Sequence, residues 1–315
     1  LDLGYLGLRG CVERLERALS TMEKLALHRG HLLNWYDTRT LRPLPPSYVS
    51  TVDSGNLAGM LIALKQACLR ATELTPAAQI SDGIADTLRL IGEEIERAGD
   101  RSMRLLRPHT EAFEPLLAKA PAEPSEREAW LRSLLAVAEG LRREVAAATN
   151  GPNDPRHREV IRWAGALIAQ VESHMEDVAA PSPGDALRTR LDSVAARADA
   201  LFEAMDFTFL YHRDRQLFSI GYDVGAERLD GSFYDLLASE SRLGSFVAIA
   251  KGDVPVRHWY KLGRPLTLVG HHRALRSWTG TMFEYLMPSL LMRSYRNTLL
   301  DQTCQVIVQG QVAYG

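Results

Sequence analysis

Between residues 77 and 205 the apolar side chains recur at spacings of three and four, and a chain patterned in this way buries a stripe on each of several packed helices. Leu187, Leu191, Val194, Ala198, Leu201 and Met205 hold the alternation without a break, as facing helices of a hairpin or bundle do. Ile84, Leu88, Ile91 and Ile95 form a second stripe, and Val160, Trp163, Leu167, Val171 and His174 a third. Prolines and polar residues at 121–124, 150–155 and 181–183 separate the segments. The stretch is poor in aromatics, and its carboxylates alternate with arginines as on solvated helix faces. It predicts a helical layer or insertion that carries no chemistry and is dispensable for ligand binding.

The flanking regions have a different texture. Leu8, Val12, Leu15, Leu19, Met22 and Ala26 predict a first helix, ending at His28-Arg29-Gly30. Pro43, Pro45 and Pro46 exclude a continuous helix over 34–50. Asp53-Ser54 reads as the N-cap of a second helix with Leu57, Met60, Leu61, Leu64 and Cys68 on its buried face. Phe207–Tyr211 and Leu217–Tyr222, separated by a polar turn, predict a hairpin. Residues 232–250 are patterned as a helix whose small residues Ser241, Gly244, Ser245 and Ala248 permit close packing, and an apolar segment from Met282 to Met292 is broken at Pro288. The expected division is therefore 1–76, 77–205 and 206–315.

Composition removes several classes of function. With 37 basic against 39 acidic residues the net charge is −2, whereas nucleic-acid binding needs a basic excess. Three dispersed cysteines, Cys11, Cys68 and Cys304, argue against a disulfide framework or a zinc site. No apolar run reaches the roughly 18 residues of a membrane span, so no direct membrane contact is predicted. His271-His272 lacks a third ligand at useful spacing. Glycine-rich phosphate loops and an Asp-x-Asp pair are missing, so the segment is expected to hold neither a metal nor a nucleotide cofactor. Leu1 in place of an initiator methionine, and the apolar run Val306–Tyr314 at the other end, suggest a piece of a larger protein.

Three short clusters combine aromatics with carboxylates and amides: Asn34-Trp35-Tyr36-Asp37-Thr38, Ser50–Asn56 and Ser277–Tyr285. Sugars present apolar ring faces and a rim of hydroxyls, so aromatic platforms flanked by such acceptors are the matching surface. Trp35 and Tyr36 read equally well as aromatics covering the core, and Asp53 as an N-cap. Glu284, between Phe283 and Tyr285, is a carboxylate in an apolar run; burial there raises its pKa and suits a general acid, although a buried structural contact has the same signature. Asp235 and Glu240 fall on the expected helix and suit orienting roles.

The strings Asn34–Thr38, Tyr48–Leu57, Leu217–Tyr222, Tyr234–Glu240, Ala250–Pro255 and Ser277–Pro288, in this order, resemble the glucoamylase-like middle domain of bacterial cyclic β-1,2-glucan synthases. The resemblance is close over residues 31–60 and 206–315; residues 77–205 match only as a variable helical stretch. It implies a mainly α fold, part of an (α/α)6 toroid with a small β-hairpin and a helical insertion. It also implies retaining intramolecular transglycosylation that closes β-1,2-glucan into a ring, within a large protein on the cytoplasmic face of the inner membrane. UDP-glucose would then bind only at a separate glycosyltransferase region, and the partners of this segment would be the glucan chain and other domains of the same synthase. Trp35, Tyr36, Trp278 and Tyr285 are the expected sugar-facing aromatics. Asp37, Asp53 and Asn56 are expected hydroxyl ligands, and Glu284 is the candidate catalytic carboxylate, unassigned between acid/base, nucleophile and sugar ligand. The second carboxylate is expected beyond Gly315, leaving the toroid unclosed and the apolar stripes of 8–26 and 282–292 exposed. A hydrolytic endo-β-1,2-glucanase and a non-catalytic glucan-binding module are the alternative readings.

Overall fold

The computed structural model describes residues 1–71, 76–99, 101–149, 157–179 and 185–315. It is mainly helical, as expected, and divides into two compact units, one of residues 1–18 and 71–192, the other of residues 19–70 and 193–315. The breaks fall within α1 (Leu8–Met22), after residue 70, and within α9 (Asp185–Ala204).

The first unit is a helical bundle. Helices α3 (Ala77–Ala98), α7 (Arg127–Ala148) and α8 (Arg158–Val178) carry the stripes read from the sequence. Ile84, Ile91 and Ile95 of α3 pack with Leu131, Leu134 and Leu141 of α7 and with Val160, Leu167 and Val171 of α8. Three short helices, α4 (Arg101–Arg104), α5 (Arg107–Glu111) and α6 (Glu114–Leu117), bring Met103, Leu106 and Phe113 to the same core. The entry into α1 is held by α8. Asp177 accepts the backbone N–H groups of Leu8 at 2.6 Å and Arg9 at 3.0 Å, and the Ser173 hydroxyl accepts that of Gly7 at 3.0 Å. These are the amides that an α-helix leaves without internal partners, and α1 has no acidic residue in its own first turn. A Cβ on Gly7 would lie 2.3 Å from the Ser173 carbonyl oxygen, so the close approach requires glycine. His174 and Gln170 both donate to the Gly4 carbonyl, at 2.7 and 3.1 Å. The stripe residues Leu8, Val12 and Leu19 of α1 are buried, contrary to the expectation of an exposed face.

In the second unit, strand β3 (Tyr48–Ser50) runs directly into α2 (Thr51–Arg70). The Ser50 hydroxyl accepts the Asp53 amide at 3.3 Å, so Ser50 rather than Asp53 serves the capping position, and Asp53 is a first-turn acid favoured by the helix dipole. Helix α2 crosses α10 (Arg242–Lys251) through glycines: a Cβ on Gly55 would meet the Gly244 Cα at 2.5 Å. Four small antiparallel sheets complete the unit. They are β1 (Leu27–His28) with β2 (His31–Leu32); β3 with β6 (Gly221–Asp223) and β7 (Arg228–Leu229); β4 (Tyr211–His212) with β5 (Leu217–Phe218); and β8 (Leu266–Val269) with β9 (His272–Leu275). A second core of Leu236, Leu237, Leu262, Leu275, Tyr285 and Ile307 joins α12 (Met282–Leu286) and α13 (Leu299–Tyr314) to the β8–β9 hairpin; α11 (Arg257–Lys261) lies between α10 and that hairpin in the chain.

Two sequence expectations are corrected here. Residues Phe207–Leu210 form a 3-10 turn instead of a strand, because the Asp206 carboxylate accepts the Thr208 amide at 2.9 Å and Asp253 accepts that of Phe207 at 3.0 Å. Residues 232–241 are not helical; the amides of Tyr234 and Leu236 donate to the carbonyls of Phe218 and Gly263 instead, at 3.1 Å each.

Candidate functional site

Three segments of the second unit converge: the β3–α2 junction, the 234–241 turn and the 277–284 turn. The last is built on a capping box. Thr281 caps α12, with its hydroxyl accepting from the Glu284 amide and the Glu284 side chain accepting from the Thr281 amide. Glu284 Oε2 also accepts the hydroxyls of Ser277 and Thr279, both at 2.8 Å, and the Thr279 amide at 3.0 Å. Its Oε1 accepts the Ser239 amide at 3.1 Å. Glu284 is only 4% exposed. Burial pushes its pKa up, but the hydrogen bonds from Thr279, Ser277 and Ser239 together carry it below the ordinary glutamate value. The raised pKa read from the apolar flanks is thus reversed. An ionised carboxylate with both oxygens occupied is not poised to donate a proton; it fixes the turn that presents Trp278.

A second buried carboxylate, Glu240, is 6% exposed. Its Oε1 accepts from Asn56 Nδ2 at 2.7 Å and its Oε2 accepts a short hydrogen bond from the Ser239 hydroxyl. Ser239 therefore touches both glutamates, one through its amide and one through its side chain. It does so at φ +51°, in the left-handed region where non-glycine residues are uncommon and which recurs at functional sites. Asn56 Oδ1 is buried without a hydrogen-bond partner among the described residues.

Above this buried pair lies an accessible rim. Trp278 is 50% exposed and its ring sits 5.5 Å from that of buried Tyr234, inclined by 30°. The Tyr234 hydroxyl is pushed above the ordinary tyrosine range by burial and by the nearby Tyr48, Asp53 and Glu240. Tyr48 is pushed up to about 12, by burial and then by Asp230 and Asp223. Asp53 is exposed and lies in this same electrostatic neighbourhood. The structure thus brings together Asp53, Asn56, Trp278 and Glu284 of the residues singled out from sequence.

The others are placed differently. Trp35 is 66% exposed, and Tyr36 braces its own loop, donating to the Ala26 carbonyl at 2.7 Å and accepting the Leu33 amide at 2.8 Å. Asp37 closes a local turn through the Arg39 and Thr40 amides and the Thr40 hydroxyl, and those bonds hold its carboxyl below the usual range. This loop is tied to β3 by the Asn34 amide, which donates to the Tyr48 carbonyl at 2.9 Å. Tyr285 is turned into the core, its hydroxyl donating to the Leu275 carbonyl at 3.1 Å and accepting the Ser277 amide at 3.0 Å. Tyr48, Tyr234 and Ser239 were not singled out as site residues. The Thr281-x-x-Glu284 spacing is the capping-box signature and was the sequence signal for the fixed turn. Among the described residues, no group of three or more His, Cys, Asp or Glu side chains is placed to hold a metal ion. Nor, among the described residues, is any helix long and apolar enough to cross a membrane.

Over its whole length the chain is similar to one segment of a glucan synthase. That relative is the cyclic beta-(1,2)-glucan synthase NdvB of Rhizobium meliloti (strain 1021), 41% identical over 324 aligned residues. The resemblance drawn from the motifs is thereby borne out. The chain spans 11% of the length of that relative. No family model matches the chain.

Proposed function

We propose that this chain supplies a β-1,2-glucan-binding surface to the ring-closing domain of a cyclic β-1,2-glucan synthase, and that its helices belong to an (α/α)6 toroid. The observation that carries the reading is Trp278, half exposed and backed by Tyr234, on whose hydroxyl the exposed carboxylate of Asp53 acts electrostatically. A glucosyl ring stacks on the indole while Asp53 accepts its hydroxyls. Glu284, Ser239 and Glu240 act as positioning residues beneath. In the intact domain a carboxylate attacks the anomeric carbon and releases the reducing-end part of the chain; a hydroxyl of the same glucan then displaces the carboxylate, closing the ring with retention. UDP-glucose is used at a separate region, and the whole protein works at the cytoplasmic face of the inner membrane.

The test is Trp278→Ala in the full-length synthase, assayed for glucan affinity and cyclic product. A loss of affinity of about tenfold is expected, since stacking on an aromatic is worth about 0.5–1.5 kcal/mol beyond area burial. Unchanged affinity and cyclisation would remove the platform. Short linear products from the unmodified protein on linear β-1,2-glucan would favour hydrolysis over ring closure.

A further inference from the structure

Between Arg242, Trp259 and the start of α13 lies a cavity of about 360 Å³ that the glucan reading does not use. Its wall includes three guanidinium groups, Arg242, Arg264 and Arg293, against a single carboxylate, Asp301. Arg242 is 3% exposed. It donates to the carbonyls of Glu284 at 2.8 Å and Tyr285 at 2.6 Å; among the described residues no carboxylate lies within ion-pair distance of it, and buried Glu240 acts on it from farther away. Arg264 likewise donates to backbone carbonyls only, those of Leu262 and Trp259, and Arg293 lies over the Tyr295 ring. Asp301 is engaged at the start of α13, where its Oδ2 accepts the Asn297 amide at 3.0 Å.

A buried guanidinium without a direct ion pair is costly, and native proteins pair such groups with an anion. Carbonyls satisfy its protons but do not neutralise it. The cavity, lined by three arginines against the one carboxylate of Asp301, is too roomy for a bare ion and within the range of small-molecule sites. The wall also carries Trp259 and Tyr295, flat apolar surfaces suited to a ring. Guanidinium forks match phosphate oxygens in pairs. We propose that this cavity binds a phosphate monoester, its phosphoryl group held by Arg242, Arg264 and Arg293 and its organic part lying against Trp259.

The proposal is independent of the glucan surface and is tested on the full-length synthase by titration calorimetry at constant ionic strength. The probes are inorganic phosphate, glucose 6-phosphate and, as a neutral control, glucose. Saturable binding of phosphate is expected, with glucose 6-phosphate tighter and glucose without effect. Equal affinity for the two phosphates would overturn the monoester assignment, since Trp259 would then contribute nothing. Arg293→Ala, at the exposed edge, should weaken binding at least tenfold with the thermal melt unchanged, and Arg264→Ala should weaken it similarly. Arg228→Ala, exposed on β7, should leave it unaltered. Absent or non-saturable phosphate binding would overturn the proposal, as would native affinity in both Arg293→Ala and Arg264→Ala. An equal loss in Arg228→Ala would overturn it too, by showing that the binding reflects diffuse surface charge.

Discussion

Ser239 donates its backbone N–H to Glu284 Oε1 at 3.1 Å from a left-handed conformation, φ +51°. The hydrogen bond and the backbone geometry depend on each other, because an extended or helical Ser239 would aim its amide elsewhere. Replacing Ser239 by a β-branched residue, which resists positive φ, should cost about 1–3 kcal/mol of stability. Ser239→Gly keeps the backbone and loses only the hydroxyl contact to Glu240, about 1 kcal/mol. Urea denaturation of Ser239→Val and Ser239→Gly should therefore rank valine as the worse by at least 1 kcal/mol or so. The reverse order would show that the side chain, not the backbone, fixes this turn.

Glu284 makes a pH-dependent contribution of defined sign. Its folded pKa lies below the ordinary glutamate value, so the stabilisation is complete above that ordinary value and is lost as pH falls through the lower folded one. In Glu284→Gln the new amide would place N–H groups against the hydroxyl and amide donors of Ser277 and Thr279, costing about 2 kcal/mol at neutral pH. The difference between native and variant should shrink on acidification below about pH 4.3. A constant gap from pH 7 to 3 would mean that the carboxylate charge is immaterial.

His31 titrates in a different window. Burial lowers its pKa to about 4, against a weaker opposing pull from its hydrogen bond to the Asp206 carbonyl. The unfolded chain takes up the proton near pH 6.5, so stability declines as pH drops from about 6.5 to about 4, by roughly 3 kcal/mol from this residue. The stability–pH slope across that window should flatten in His31→Gln. An unchanged slope would assign acid sensitivity to other groups, among them His174 and His258, which burial also lowers.

The α2–α10 crossing tolerates no side chain. A methyl group on Gly55 would sit 2.5 Å from the Gly244 Cα, and relief requires the helices to separate. Gly55→Ala should destabilise by about 1–3 kcal/mol, as overpacking does, whereas Gly92→Ala, with nothing within 4 Å of the added carbon, should be neutral or stabilising. Thermal melts of the two variants separate these outcomes. Equal melting temperatures would mean that the crossing is loose in solution.

Asp177 serves two amides of a helix that lies 169 residues earlier in the chain. Asp177→Ala strands both in a buried setting and should cost about 2 kcal/mol or more. Hydrogen exchange at Leu8 and Arg9 should then accelerate; protection equal to that of the native protein would show that other groups cap α1.

Much of the helical layer was legible because its information is local. The stripes at 84–95, 160–174 and 187–205 repeat a period that is buried whatever the partner is. Ser239 was not legible, since its left-handed backbone answers to a carboxylate 45 positions away, and no propensity of serine encodes that. The 3-10 turn at 207–210 was missed for a related reason: its aromatic run has strand propensity, but Asp206 and Asp253 claim its amides. Glu284 was correctly seen as an unusual carboxylate. Its environment was misread because apolar neighbours in sequence are not neighbours in space; the side chain points back to Ser277 and Thr279.

The anchoring of α1 on α8 also bears on how the chain is made. The helix that emerges early has its first amides satisfied by a residue synthesised far later, so it cannot reach its native ending-in-place until α8 has left the ribosome. During that interval Leu8 and Val12 have no native cover from the rest of their unit, whose remaining residues begin at 71. Long-range closure of this kind slows folding, its entropic cost rising with the logarithm of the intervening length. In the interval between α1 and α8 leaving the ribosome, the apolar face of α1 is therefore open to association.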